Sequence, residues 1–167
     1  YAATFPGRAG ALVIVDSIML MPMERIRAMR AFGETTPSTY ASEEELIARY
    51  RLSAPETQIA APEIIRHMAR DSGKQGADGR WQHKADRRVY ANSQQHAGIP
   101  LWERIAIPAL VIKGSRSTRF SPDQMVEIRR RAPQVQWAEV PDSNHHITLD
   151  NPQGFVAAVQ GFLQRIG

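Results

Sequence analysis

An aspartate that ends an apolar run and a histidine on a polar turn are the residues of this chain best suited to do chemistry. Asp16 closes the stretch Ala11-Leu-Val-Ile-Val-Asp-Ser17, and His145 sits in Ser143-Asn-His-His-Ile-Thr-Leu-Asp-Asn-Pro152. Together they resemble two members of a triad in which an imidazole shuttles a proton and a carboxylate holds its tautomer. The third member, a nucleophile, is not apparent. No serine flanked by glycines in the G-x-S-x-G pattern precedes Asp16.

Two elements must carry such a pair. Ala11 to Val15 and Ala109 to Lys113 are short runs rich in Val and Ile without polar alternation, as expected of parallel strands covered on both faces. Val135 to Val140 alternates more and reads as a strand nearer an edge. Ser121-Pro122-Asp-Gln124 supplies an N-cap, a first-turn proline and a third-position Gln for a helix that Pro133 stops. Asn151-Pro152 opens a last helix whose Phe155, Val156, Val159, Phe162, Leu163 and Ile166 form one apolar stripe. The tail is thus strand, helix, strand, loop, helix.

Between the first two strands the chain changes character. Short amphipathic helices are expected near Pro22 to Phe32, Ser42 to Leu52 and Ala61 to Asp71, with stripes of Leu46, Ile47 and Tyr50 and of Ile64, Ile65 and Met68, then a loop containing Gly and Lys. An ordinary crossover uses a single helix, so this stretch reads as an inserted helical cap or lid. The expected division is residues 1–17 as the end of a core helix and a core strand, 18–98 as cap, and 99–167 as the C-terminal core. The opening Tyr1-Ala-Ala-Thr-Phe-Pro6 resembles the last turns of a helix, so any leader would lie upstream.

Composition narrows the partners. The formal charge is +4, but the arginines are scattered over several helices and no aromatic residues interleave with them, which favours solvated helix faces over a nucleic-acid stripe. No apolar stretch approaches the roughly 20 residues of a membrane span. With no cysteine, the chain has neither disulfides nor Cys-ligated zinc. Adjacent His145 and His146 point apart on one loop and lack the spacing of zinc motifs, so no metal and no cofactor are expected. The compartment stays open, with the cytoplasm favoured.

The tail carries a resemblance. Ile107-Pro-Ala-Leu-Val-Ile-Lys-Gly114, Val140-Pro-Asp-Ser-Asn-His-His146 and Leu149-Asp-Asn-Pro152, with Phe155 and Phe162-Leu163 beyond, resemble the end of the α/β-hydrolase fold. Residues 1–17 resemble the helix after the nucleophile elbow and the sixth strand. In that family the catalytic histidine stands five residues before an acidic residue and seven before a proline. His145 has those spacings to Asp150 and Pro152. The resemblance implies the C-terminal part of a doubly wound, mostly parallel α/β sheet with an inserted cap. It implies a hydrolase of carboxylic esters or related acyl substrates, with the nucleophile and oxyanion hole in an N-terminal half of the fold outside this chain, and no activity of this chain alone.

Two departures stand out. Asn144 occupies a place where the family usually has glycine, and Asn tolerates the left-handed backbone that such a turn requires. Ser117, in Gly114-Ser-Arg-Ser117, stands where the commonest arrangement has the acid, and a hydroxyl cannot offset an imidazolium charge. Some members place the acid after the sixth strand, which is the position of Asp16, at the carboxyl end where ligands collect in open parallel sheets. An aspartate there also serves as a loop anchor, and that reading stays open; Asp123 is a weaker candidate because a helix's first turn explains it. Ile18, Met19 and Met21 are candidate apolar walls for a substrate or simply packing. Trp81, in Arg80-Trp-Gln-His-Lys-Ala-Asp86, is a candidate pocket wall or a cap-to-core contact, and His146 is a candidate substrate neighbour. The alternatives are a haloalkane dehalogenase or epoxide hydrolase with an Asp nucleophile, and a ligand-binding relative without catalysis in which Ser117 and Asn144 are eroded positions.

Overall fold

The computed structural model describes residues 1–52 and 61–167. In chain order the elements are β1 (Leu12–Val15), α1 (Met23–Glu34), β2 (Thr39–Tyr40), α2 (Glu43–Arg49), α3 (Pro62–Asp71), β3 (Gly73–Gln75), β4 (Trp81–His83) and α4 (Arg88–Ala91). There follow a 3-10 helix (Ile99–Arg104), β5 (Ala109–Gly114), α5 (Pro122–Arg131), β6 (Gln136–Val140), α6 (Ile147–Asp150) and α7 (Pro152–Ile166). The described residues form two compact units, one of residues 1–20 and 96–167 and the other of residues 21–52 and 61–95. No described helix is long and apolar enough to cross a membrane.

The first unit is built on a parallel sheet in the order β1-β5-β6. Leu12 pairs with Ala109 and Val15 with Ile112, while Leu110 pairs with Gln136 and Gly114 with Val140. Successive strand side chains point to opposite faces, so β5 divides its residues between two cores. Ala109 and Val111 join Trp102, Phe120, Ile128 and Val135 on one face. Leu110 and Ile112 join Val140, Ile147 and Phe162 on the other. Helices therefore cover both faces, which is why β5 is apolar from Ala109 to Ile112. β1 is only half-buried, because among the described residues it pairs on one side alone.

The caps follow from the sequence. Ser121 Oγ accepts the Gln124 N–H at 3.3 Å, and Asn151 Oδ1 accepts the Gly154 N–H at 2.8 Å; each cap precedes a proline at the first helical position, where no donor is missed. The stripe on α7 is narrower than its spacing suggests. Phe155, Val159, Phe162 and Ile166 pack on the sheet, but Val156 and Leu163 are about half exposed. At about 100° per residue those two fall on the flank of the buried arc.

The second unit holds the expected helices and also an antiparallel sheet in the order β2-β4-β3. The stretch expected as a loop after α3 is the hairpin β3-β4, with Gly79 at φ +76 in its turn. Gly-Lys-Gln has no apolar alternation, so nothing in its pattern marked it as a strand. Leu46 is buried as expected, whereas α3 buries Ala69 and leaves Ile64 exposed. Gly33 is required for packing: a Cβ there would collide with the backbone of Ala91, on α4.

Candidate active site

Asp16 and His145 stand 129 positions apart in sequence and are brought into contact at the carboxyl ends of the parallel strands. His145 Nδ1 lies 2.9 Å from Asp16 Oδ2. The Asp16 side chain is fully buried, and that of His145 is 28% exposed.

Asp16 is the residue after β1, and its N–H continues the ladder to Ile112 O at 2.8 Å. Its φ of +43 then turns the chain out of the sheet, a left-handed conformation uncommon outside glycine. That turn aims the carboxylate across the end of β5. Oδ1 accepts the Gly114 N–H at 3.4 Å, a long bond, and Oδ2 accepts the Ser117 hydroxyl at 2.5 Å as well as the imidazole. Ser117 Oγ in turn accepts the Arg119 N–H at 3.2 Å, which leaves its own proton for Asp16. A carboxylate surrounded by donors acts as an acceptor only, so His145 carries its proton on Nδ1 and keeps Nε2 free to accept one.

The loop carrying His145 is fixed by backbone. Ser115 and Arg116 N–H groups donate to Val140 O and Ser143 O, each at 3.0 Å, tying the exit of β5 to the exit of β6. Gly114 allows that approach, since a Cβ there would overlap the carbonyl oxygens of Ser143 and Asn144. Buried Ser143 donates its hydroxyl to Val140 O at 2.7 Å. Asp150 Oδ2 accepts the Asn144 N–H at 2.8 Å, so the acidic residue five positions after the histidine braces its loop. The expected left-handed residue is misplaced by two positions. Among non-glycine residues described, positive φ occurs at Asp16 and Asp142 and not at Asn144, and Asp142 (φ +52) is held by Arg116 at 2.5 Å.

The remaining candidates are placed as follows. The ring of His146 tilts against that of His145 with centroids 4.9 Å apart, and its carbonyl accepts from Leu149 and Asp150 at the start of α6. Met19 packs against the core with Trp102 and lines an apolar cavity of about 180 Å³ with Leu12, Ile14, Leu101 and Ile105, while Ile18 is half-buried. Met21 and Trp81 belong to the second unit, where Trp81 pairs with Tyr40 and Gln75 in the small sheet. The sequence marks Ser117 as standing where the commonest arrangement has the acid, but carries no sign that it is a partner of Asp16. Gly114 was visible only as the end of a strand.

No family model matches the chain. Over 56 residues it is 43% identical to the mouse sn-1-specific diacylglycerol lipase ABHD11, a match that covers 34% of this chain and 18% of that protein. Its fold is similar to that of E-2-(acetamidomethylene)succinate hydrolase, with a TM-score of 0.79 and 18% identity over 98% of this chain and 60% of that one. It is also similar to an esterase of Mycobacterium tuberculosis, with a TM-score of 0.70 and 21% identity over 98% of this chain and 55% of that one. The chain thus spans little more than half the length of these structures.

Proposed function

We propose that this chain, which has the fold of the C-terminal part of an α/β-hydrolase, supplies the histidine and acid of a hydrolase acting on a carboxylic ester or related acyl substrate. The observation that carries this reading is the Asp16–His145 pair, with a buried carboxylate on Nδ1 and a partly exposed imidazole beyond it. In the reaction, a nucleophile outside this chain attacks the substrate carbonyl while His145 Nε2 takes its proton and later returns it to the leaving group. Asp16 holds the tautomer and offsets the positive charge that forms on the ring. The companion N-terminal half of the fold would supply the nucleophile and the oxyanion hole, so residues 1–167 alone are expected to be inactive. The names of the similar proteins, a lipase, an esterase and a hydrolase, agree with acyl transfer to water.

The test uses the whole protein that carries this chain. Turnover of a short nitrophenyl ester and labelling by a fluorophosphonate probe should both occur, with no label on residues 1–167. His145→Ala should remove turnover. Undiminished turnover in that variant would end the assignment.

A further inference from the structure

The geometry points to Ser117 as a positioning residue for the reaction, one that sets the orientation of the acid rather than replacing it. This rests on the reading of Asp16 and His145 given above. Three facts converge on it. The Ser117 hydroxyl lies 2.5 Å from Asp16 Oδ2, the length of a charge-assisted O–H···O bond, whereas the one other protein donor to Asp16 besides the imidazole among the described residues, the Gly114 amide, is a long 3.4 Å away. Both side chains are buried, so water does not stand in for the bond if it is lost. The direction of the bond is also determined, because a carboxylate only accepts, so the Ser117 hydroxyl donates to Asp16 while its oxygen accepts the Arg119 N–H.

The consequence concerns the freedom of one torsion. Asp16 stands in a left-handed backbone conformation, and its carboxylate plane is set by what its oxygens accept. Without Ser117 that plane would rest on a long amide bond and on the imidazole, which is itself the group to be aimed. A hydroxyl on the β5 exit thus locks a carboxylate on the β1 exit, and the carboxylate locks a histidine on the β6 exit. Each of the three parallel strands contributes one member, and the middle strand contributes the clamp.

Ser117→Ala and Ser117→Cys in the whole protein test this, the second keeping the buried volume nearly intact while replacing a strong donor by a weak one. Both should lower kcat roughly tenfold or more with KM changed less than about twofold, since the bond to a charged acceptor acts on the transition state and not on substrate binding. Ser117→Thr, which retains the hydroxyl, should recover most of the loss. In proton spectra the low-field signal of the His145 Nδ1–H should shift in the Cys variant. If Ser117→Ala does not fold, the Cys variant decides. Wild-type kcat in a folded Ala or Cys variant, while His145→Ala is inactive, would overturn the role of Ser117 and leave the reading of the pair standing. Activity independent of His145 would overturn both.

Discussion

Replacing Asp16 by Asn changes the charge of the site and almost nothing of its volume. The carboxylate is fully buried and 2.9 Å from Nδ1, so when the ring becomes protonated the two charge centres are about 4 Å apart. At an effective dielectric of about 20, that attraction is worth about 4 kcal/mol. A tenfold change in rate corresponds to about 1.4 kcal/mol, so kcat should fall about a thousandfold. The hydrogen bonds act in the same direction. Oδ2 faces two donors, Ser117 and His145, and Oδ1 faces one. An amide has a single oxygen, so it either turns its NH2 toward the Gly114 N–H or presents it to His145. In the second arrangement His145 must move its proton to Nε2, which can then no longer accept one. The assay is steady-state hydrolysis of a nitrophenyl ester by the whole protein, with thermal melting to show that the variant is folded. A loss below about tenfold in kcat, or a change confined to KM, would show that Asp16 is a loop anchor and that the proton relay runs elsewhere.

Two further outcomes follow from packing and charge. Gly114→Ala should destabilise the protein by about 3 kcal/mol in urea unfolding, because the added Cβ meets the backbone oxygens of Ser143 and Asn144, which cannot turn aside. Gly161→Ala, where the nearest atom is the flexible end of Arg165, should be neutral or slightly stabilising; equal losses in the two would refute the steric account. In the second unit, burial and then the charge of Arg87 hold the His83 pKa below its ordinary value of 6.5. The unfolded chain therefore binds the proton first as pH falls. Stability linked to His83 is fully present above about pH 6.5 and is lost as pH drops toward the lowered folded value. Melting temperatures at pH 7 and 5 should differ less in His83→Gln than in the wild type, and an unchanged difference would remove His83 from the account.

The order of the tail was legible because each of its elements carries a local signal. The apolar run of β5 needs no context, and Ser121-Pro122 and Asn151-Pro152 mark helix starts by chemistry that acts over three residues. The hairpin β3-β4 was not legible, since Gly73, Lys74 and Gln75 owe their strand conformation to pairing with Trp81, Gln82 and His83 and not to their own pattern. Val156 and Leu163 likewise read as core by type, but whether a flank residue is covered depends on what lies opposite it.

The chemistry divides in the same way. Sequence alone determined which residue types were available, a histidine with Asp150 and Pro152 at fixed offsets and an aspartate ending a buried strand, because these relations are short-range along the chain. Only the tertiary structure decided that Asp16 meets His145, that Ser117 is the clamp on that acid, and that the left-handed residue of the loop is Asp142 and not Asn144. Those outcomes depend on the parallel register of three strands, which brings the ends of β1, β5 and β6 together across more than a hundred residues of sequence. A hydrogen bond of that separation leaves no periodic trace in the chain that forms it.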